Sequence, residues 1–197
     1  MLKFLLILLA LGALAFFVMR GAGRGAVPDV GAIAPDFDLP DAANRRQRLA
    51  DYRGRWLVLY FYPRDATPTC TAEACNLRDG YAAFQARNVA LLGVSLDGAA
   101  SHADFARTHG LPFPLLSDLD ATVARAYGSL WDFGVFRVAK RHTFLIAPDG
   151  RIAKVYRDVA ADRHAEDILV DLNRLQSHIE LVAPSSEANN QSIPRNP

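Results

Sequence analysis

The feature that most constrains this chain is residues 56–62, Trp-Leu-Val-Leu-Tyr-Phe-Tyr, closed by Pro63. No residue in the run is charged, and β-branched and aromatic side chains dominate it. A strand of this kind has no polar face to give to water, so it must be buried on both sides, as at the centre of a mixed sheet. Pro63 removes a backbone donor and ends the ladder. Residues 63–68 read as a loop, and a helix is predicted from about 69 to 87, with Leu77, Tyr81 and Phe84 on one face. Residues 89–96 form a second buried strand.

The remaining elements follow the same signals. Residues 35–39 and 47–49 read as a short hairpin around the polar turn 41–46. Residues 100–109 read as a helix closed by Gly110. Leu115-Leu116 is a short extended piece and 121–127 a short helix. Residues 142–147 and 152–156 are strands joined by the turn Pro148-Asp149-Gly150. Ile168, Leu172, Leu175 and Ile179 form the stripe of a last helix. The order is hairpin, β-α-β-α, β-hairpin and helix. It predicts an α/β chain of the thioredoxin-like fold, a mixed central sheet with helices on both faces. Fold alone does not name a function.

Composition narrows the classes. The 197 residues are 51% hydrophobic with a formal net charge of +1. That suits one globular domain with a short appendage and gives no reason to expect nucleic acid as a partner. Short basic runs such as Arg45-Arg46 and Lys140-Arg141 read by default as solvated surface. Residues 4–19 form an unbroken apolar run between Lys3 and Arg20. As a helix it is about 24 Å long, somewhat under the ~30 Å hydrocarbon core. An N-terminal hydrophobic helix acting as an uncleaved membrane anchor over 1–20 is the preferred reading. A cleaved secretory signal is the alternative, with Ala13-Leu14-Ala15 as the small-x-small site. A buried core helix is the third. With an anchor, the domain that follows it is expected on the periplasmic side. The expected layout is then a glycine-rich linker over 21–31, one domain over 32–181 and a polar, disordered tail over 182–197.

Cys70 and Cys75 are the two cysteines. They are too few for a stapled scaffold or a structural zinc site. They are a redox couple, a lone structural disulfide or two unconnected thiols. Thr67 suits an N-cap and Pro68 the first helical position, which places Cys70 in the first helical turn. Free N–H groups and the helix dipole there favour a thiolate, the nucleophilic form. The Thr67 hydroxyl is within reach of the sulfur. Cys75 lies five residues on, at a Cα separation of about 8–9 Å in a regular helix. A disulfide needs roughly 4.4–6.8 Å, so the pair closes only if the helix start unwinds.

The stretch 61–79, FYPRDATPTCTAEACNLRD, resembles the active-site segment of the peroxiredoxins, and within them the bacterioferritin-comigratory-protein or Q-type group. The pattern P-x-x-x-T-x-x-C falls on Pro63, Thr67 and Cys70. The group's resolving cysteine falls on Cys75, and its active-site arginine, before a Thr-Phe-Leu-Ile strand, on Arg141. Thr69 departs from the usual glycine. The resemblance spans roughly 28–177. It implies a thiol peroxidase that reduces hydrogen peroxide and alkyl hydroperoxides through a Cys70 sulfenic acid and a Cys70–Cys75 disulfide. Thioredoxin or a glutaredoxin-like dithiol would be the reductant. No cofactor or metal is implied, and a monomer is expected. Glu73 reads as a solvated residue near the helix start, with partnership to an arginine as the alternative, and His142 as a strand residue. Trp56, Phe61 and Tyr62 read as core. Two alternatives share the fold: a tethered thiol-disulfide oxidoreductase, disfavoured because C-x4-C replaces C-x-x-C, and a copper-delivery protein using the cysteines with His142.

Overall fold

The computed structural model describes residues 25–182. The apolar run 4–19 and the tail from Pro184 lie outside the described residues. Among the described residues, no helix is long and apolar enough to cross a membrane.

The chain opens with an antiparallel hairpin, β1 (Asp38–Pro40) and β2 (Arg46–Arg48), and a 3-10 turn at Leu49–Tyr52. Then come β3 (Trp56–Phe61), α1 (Pro68–Asp79), α2 (Tyr81–Gln85), β4 (Val89–Ser95), α3 (Ala99–His109), β5 (Leu115–Ser117) and α4 (Thr122–Ala126). A second small hairpin, β6 (Leu130–Asp132) and β7 (Arg137–Ala139), precedes β8 (Thr143–Ile146), β9 (Ile152–Tyr156) and α5 (His164–Val182). The main sheet has the order β5-β4-β3-β8-β9. Strands β3, β4 and β5 run parallel, and β8 and β9 return antiparallel.

Strand β3 is the centre, and all six of its residues are buried. Period-two alternation sends them to different cores. Leu57, Leu59 and Phe61 join the core closed by the 3-10 turn and α4. Trp56, Val58 and Tyr60 join the core closed by α1, α2, α3 and α5, which also takes in Cys70, Ala74 and Leu77. Each fully buried side chain of this size contributes roughly 1.5–3 kcal/mol.

Three elements differ from the sequence expectation. The helix expected over 69–87 is two helices broken at Gly80. A Cβ at Gly80 would lie 2.7 Å from the Ala165 methyl, so the break lets α5 approach closely. Strands β6 and β7 were not anticipated, because three-residue strands are too short to carry a periodic signal. The expected linker is seated on the domain where it is described. Gly31 donates to the Ile152 carbonyl at 2.7 Å, and Ile152 donates back to Ala32 at 2.9 Å. Val27 packs against the core.

Gly128 receives this segment. Its φ is +62°, and a Cβ there would meet the Val27 nitrogen at 2.5 Å. Gly54 has φ +81° but open space around it. Gly128→Ala is expected to cost about 1–3 kcal/mol more than Gly54→Ala in urea unfolding, since only the former adds a backbone clash to the strain. Equal costs would mean that residues 25–27 do not depend on this seat.

Candidate active site

Strand β3 delivers the site. Tyr62 donates to the Val94 carbonyl at 3.1 Å, the last ladder bond, and half-buried Pro63 then turns the chain out of the sheet. Thr67 is the extended N-cap residue and Pro68 opens α1. The first helical bond runs from Thr71 N–H to the Thr67 carbonyl at 2.8 Å. The Thr67 hydroxyl makes no capping bond. It donates instead to the Arg64 carbonyl at 3.2 Å, so it must rotate before it can donate to a sulfur or a peroxide.

Cys70 sits in the first turn of α1 and is 2% exposed. Cys75 lies on the same helix, half-buried, and both thiols are free. Strand β8 brings in the charge. It pairs antiparallel with β3, Tyr60 opposite Thr143, and Phe61 donates to the His142 carbonyl at 2.8 Å. The residues just before β8 therefore lie beside the loop that follows β3. One of them, two residues before the strand, is Arg141. Its Nη2 donates to Cys70 Sγ at 3.2 Å, a charge-assisted contact. Its Nη1 bonds Glu73 Oε2.

Glu73 is the residue that sequence reasoning misjudged. It is fully buried rather than solvated. The available signal was helical spacing: Cys70, Glu73, Ala74 and Leu77 share one buried face of α1. Burial pushes the Glu73 carboxyl up to about 7, against the opposing pull of Arg141. Burial works against the Arg141 charge, but Glu73 and Cys70 offset it and hold the guanidinium above its ordinary value. Glu73 Oε1 has no hydrogen-bond partner, and its neighbour His164 Nε2 stands 3.9 Å away. That ring nitrogen is 2.8 Å from Thr143 Oγ1. His142 is buried beside β8 with Nδ1 3.1 Å from Ser129 Oγ, which fits a structural imidazole better than a metal ligand.

Residues 30–155 match the model of the AhpC/TSA family. The chain belongs to this family. It is a peroxiredoxin, a thiol-dependent peroxidase of the Bcp and Q kind. The peroxiredoxin Bcp of Bacillus subtilis is 38% identical over 149 residues, covering 73% of this chain and 94% of the relative. The crystal structure of peroxidoxin BcpB from Mycobacterium tuberculosis superposes with a TM-score of 0.70 at 34% identity, over 74% of this chain and 97% of that one. A structure of the Xanthomonas campestris bacterioferritin comigratory protein, described for alkyl peroxide reduction, gives 0.68 at 33% identity, over 76% and 96%. These likenesses leave the tethered oxidoreductase and copper-delivery readings without support. They also correct the expected membrane anchoring and periplasmic placement. The Bacillus relative is matched along nearly its whole length by the peroxiredoxin part alone, and no described helix can cross a membrane.

The buried imidazoles give this peroxiredoxin an acid response. Burial pushes His142 and His164 down to about 4, so the fold favours their neutral forms. An unfolded histidine titrates near 6.5. Their contribution is therefore complete above about 6.5 and lost as pH falls through about 4. Glu73, raised from 4.5 to about 7, has the opposite sign: its contribution is present below 4.5 and lost as pH rises through 7. His164→Gln is expected to reduce the loss of stability between pH 7 and 4 by up to about 3 kcal/mol in urea unfolding. Identical acid slopes in the two proteins would contradict this.

Proposed function

We infer that Cys70 is the sulfur that attacks peroxide and that Cys75 resolves the product. The observation carrying this reading is the 3.2 Å hydrogen bond from Arg141 to Cys70 Sγ at the start of α1. The thiolate attacks the terminal oxygen of the hydroperoxide. The O–O bond breaks, and the leaving oxygen takes a proton and departs as water or an alcohol. Cys70 becomes a sulfenic acid. Arg141 holds the thiolate and orients the peroxide with its fixed fork of donors. Pro63 sets where the loop leaves the sheet, and Thr67 supplies a hydroxyl once it turns from Arg64.

Cys75 then attacks the sulfenic sulfur. The hydroxyl leaves as water after gaining a proton, and a Cys70–Cys75 disulfide forms. The first turns of α1 must unwind for this, because the Cα separation of about 8–9 Å in an intact helix exceeds disulfide reach. Thioredoxin or a glutaredoxin-like protein takes the disulfide back to two thiols. Hydrogen peroxide and alkyl hydroperoxides are the substrates, the latter supported by the alkyl peroxide reduction described for the Xanthomonas relative. A monomer is the working unit proposed. The catalytic unit is assigned to residues 32–181.

Rapid-quench kinetics with thiol-specific mass spectrometry test the assignment. Cys70→Ser is expected to be inert to peroxide. Cys75→Ser is expected to react once and form no internal disulfide. Arg141→Lys keeps the charge and loses the fork, and its peroxide step is expected to slow by at least about tenfold. Wild-type turnover by Cys70→Ser would overturn the reading.

A further inference from the structure

Asp65 lies five residues before Cys70, in the loop between β3 and α1, and touches neither sulfur nor Arg141 in the structure. Its carboxylate is nonetheless buried and saturated with donors. Oδ1 accepts from the Tyr62 hydroxyl at 2.7 Å, and Oδ2 accepts from the Ser101 hydroxyl at 2.6 Å. His102 Nδ1 stands 2.9 Å from Oδ2. The His102 ring is fully buried, and its Nε2 faces the Leu116 carbonyl at 3.2 Å. A carbonyl only accepts, so Nε2 is the donor in that contact, and Nδ1 faces both the carboxylate and the Tyr62 hydroxyl, 3.3 Å away. The backbone is pinned as well: Asp65 N–H donates to Asp97 Oδ2 at 2.8 Å, and Ser95 Oγ donates to the same oxygen at 2.8 Å. Burial pushes the Asp65 carboxyl up, but the bonds from His102, Ser101 and Tyr62 hold it below its ordinary value.

The next residue is strained. Ala66 has φ +56°, a left-handed conformation disfavoured for a residue with a Cβ. It leads directly to the N-cap Thr67 and the Cys70 turn. At the far end of the reactive stretch, Asn76 holds α1 to α5: its Nδ2 donates to the Asp162 carbonyl at 2.8 Å, and its Oδ1 accepts from Ala165 N–H at 2.8 Å. Cys70 and Cys75 both lie between these two pins.

We propose that Asp65 and His102 are positioning residues, a buried latch that holds the strained Ala66 turn and so sets how often the Cys70 turn opens for disulfide formation. The inference rests on the assignment of Cys70 and Cys75 above. The latch keeps α1 folded while Cys70 meets peroxide. Loosening it releases the strained end of the loop, while Asn76 keeps the far end of the helix in place. The open form is the minor one, so a looser latch multiplies its population and barely depletes the folded form. Disulfide closure then speeds up while the peroxide step hardly changes. A second peroxide also has less time to convert the sulfenic acid to sulfinic acid.

The test is rapid-quench mass spectrometry of the full chain, wild type against Asp65→Asn. Asparagine keeps the volume but replaces one accepting oxygen with a donor facing Ser101 and His102. The expected result is disulfide closure about tenfold faster, a peroxide step changed by less than twofold, and a lower sulfinic yield at high hydrogen peroxide. Leu49→Ala, a truncation in the core on the other face of the sheet, is the control. It is expected to lower the urea midpoint without speeding closure. Closure that is unchanged or slower in Asp65→Asn, or equally accelerated by Leu49→Ala, overturns the latch. Cys70→Ser run alongside separates the failures. Peroxide turnover there overturns the cysteine assignment and the latch with it. An inert Cys70→Ser beside unaltered closure in Asp65→Asn overturns the latch alone.

Discussion

One guanidinium joins the two parts of this peroxiredoxin that must cooperate. Arg141 enters from the start of β8 and meets two groups from a single turn of α1, the Cys70 sulfur and the Glu73 carboxylate. A carboxylate as deeply buried as Glu73 is costly unless a cation stands against it. The same cation donates to the Cys70 sulfur. The contact to the sulfur proposed to attack peroxide is thus also one that opposes unwinding of the helix start, since opening α1 separates Arg141 from both partners at once.

The fold makes this contact by pairing order. Strand β8 lies beside β3 and runs against it, so Arg141, two residues before β8, and the loop after β3 share one end of the sheet. The all-apolar β3 fixes the sheet centre, and its alternate side chains pack two cores at once. Helix α5 then closes the face that holds Cys70. Its first turn lies close enough to α1 that only glycine fits at position 80. A chemically reactive turn is thereby attached to a rigid sheet at its start and to α5 beyond Asn76.

Much of the site was legible because it is local. Pro63, Thr67, Pro68 and Cys70 lie within eight residues, and capping rules place the cysteine in the first helical turn without tertiary information. The order of elements along the chain was legible because β3 is a continuous apolar run and β4 and β8 are mostly apolar. Glu73 was misread because its burial depends on Arg141, which lies 68 residues away. Asp65 and His102, 37 residues apart, carried no pattern at all. The break at Gly80 is set by Ala165, and the seat of residues 25–31 by β9 and Gly128, neither of which periodicity reports. The direction of the Thr67 hydroxyl is a side-chain choice that capping propensity gets wrong here.

The central claim is that one helix start alternates between a folded form that meets peroxide and an unwound form that holds the disulfide. Amide hydrogen exchange on the reduced and the fully oxidised chain tests it most directly. In the reduced chain, protection is expected through α1 after its first turn. In the disulfide form, protection is expected to be lost up to Cys75 and kept from Leu77 through α2 and along α5. Equal protection of residues 71–75 in the two forms would show that the disulfide closes within an intact helix, and would contradict the claim.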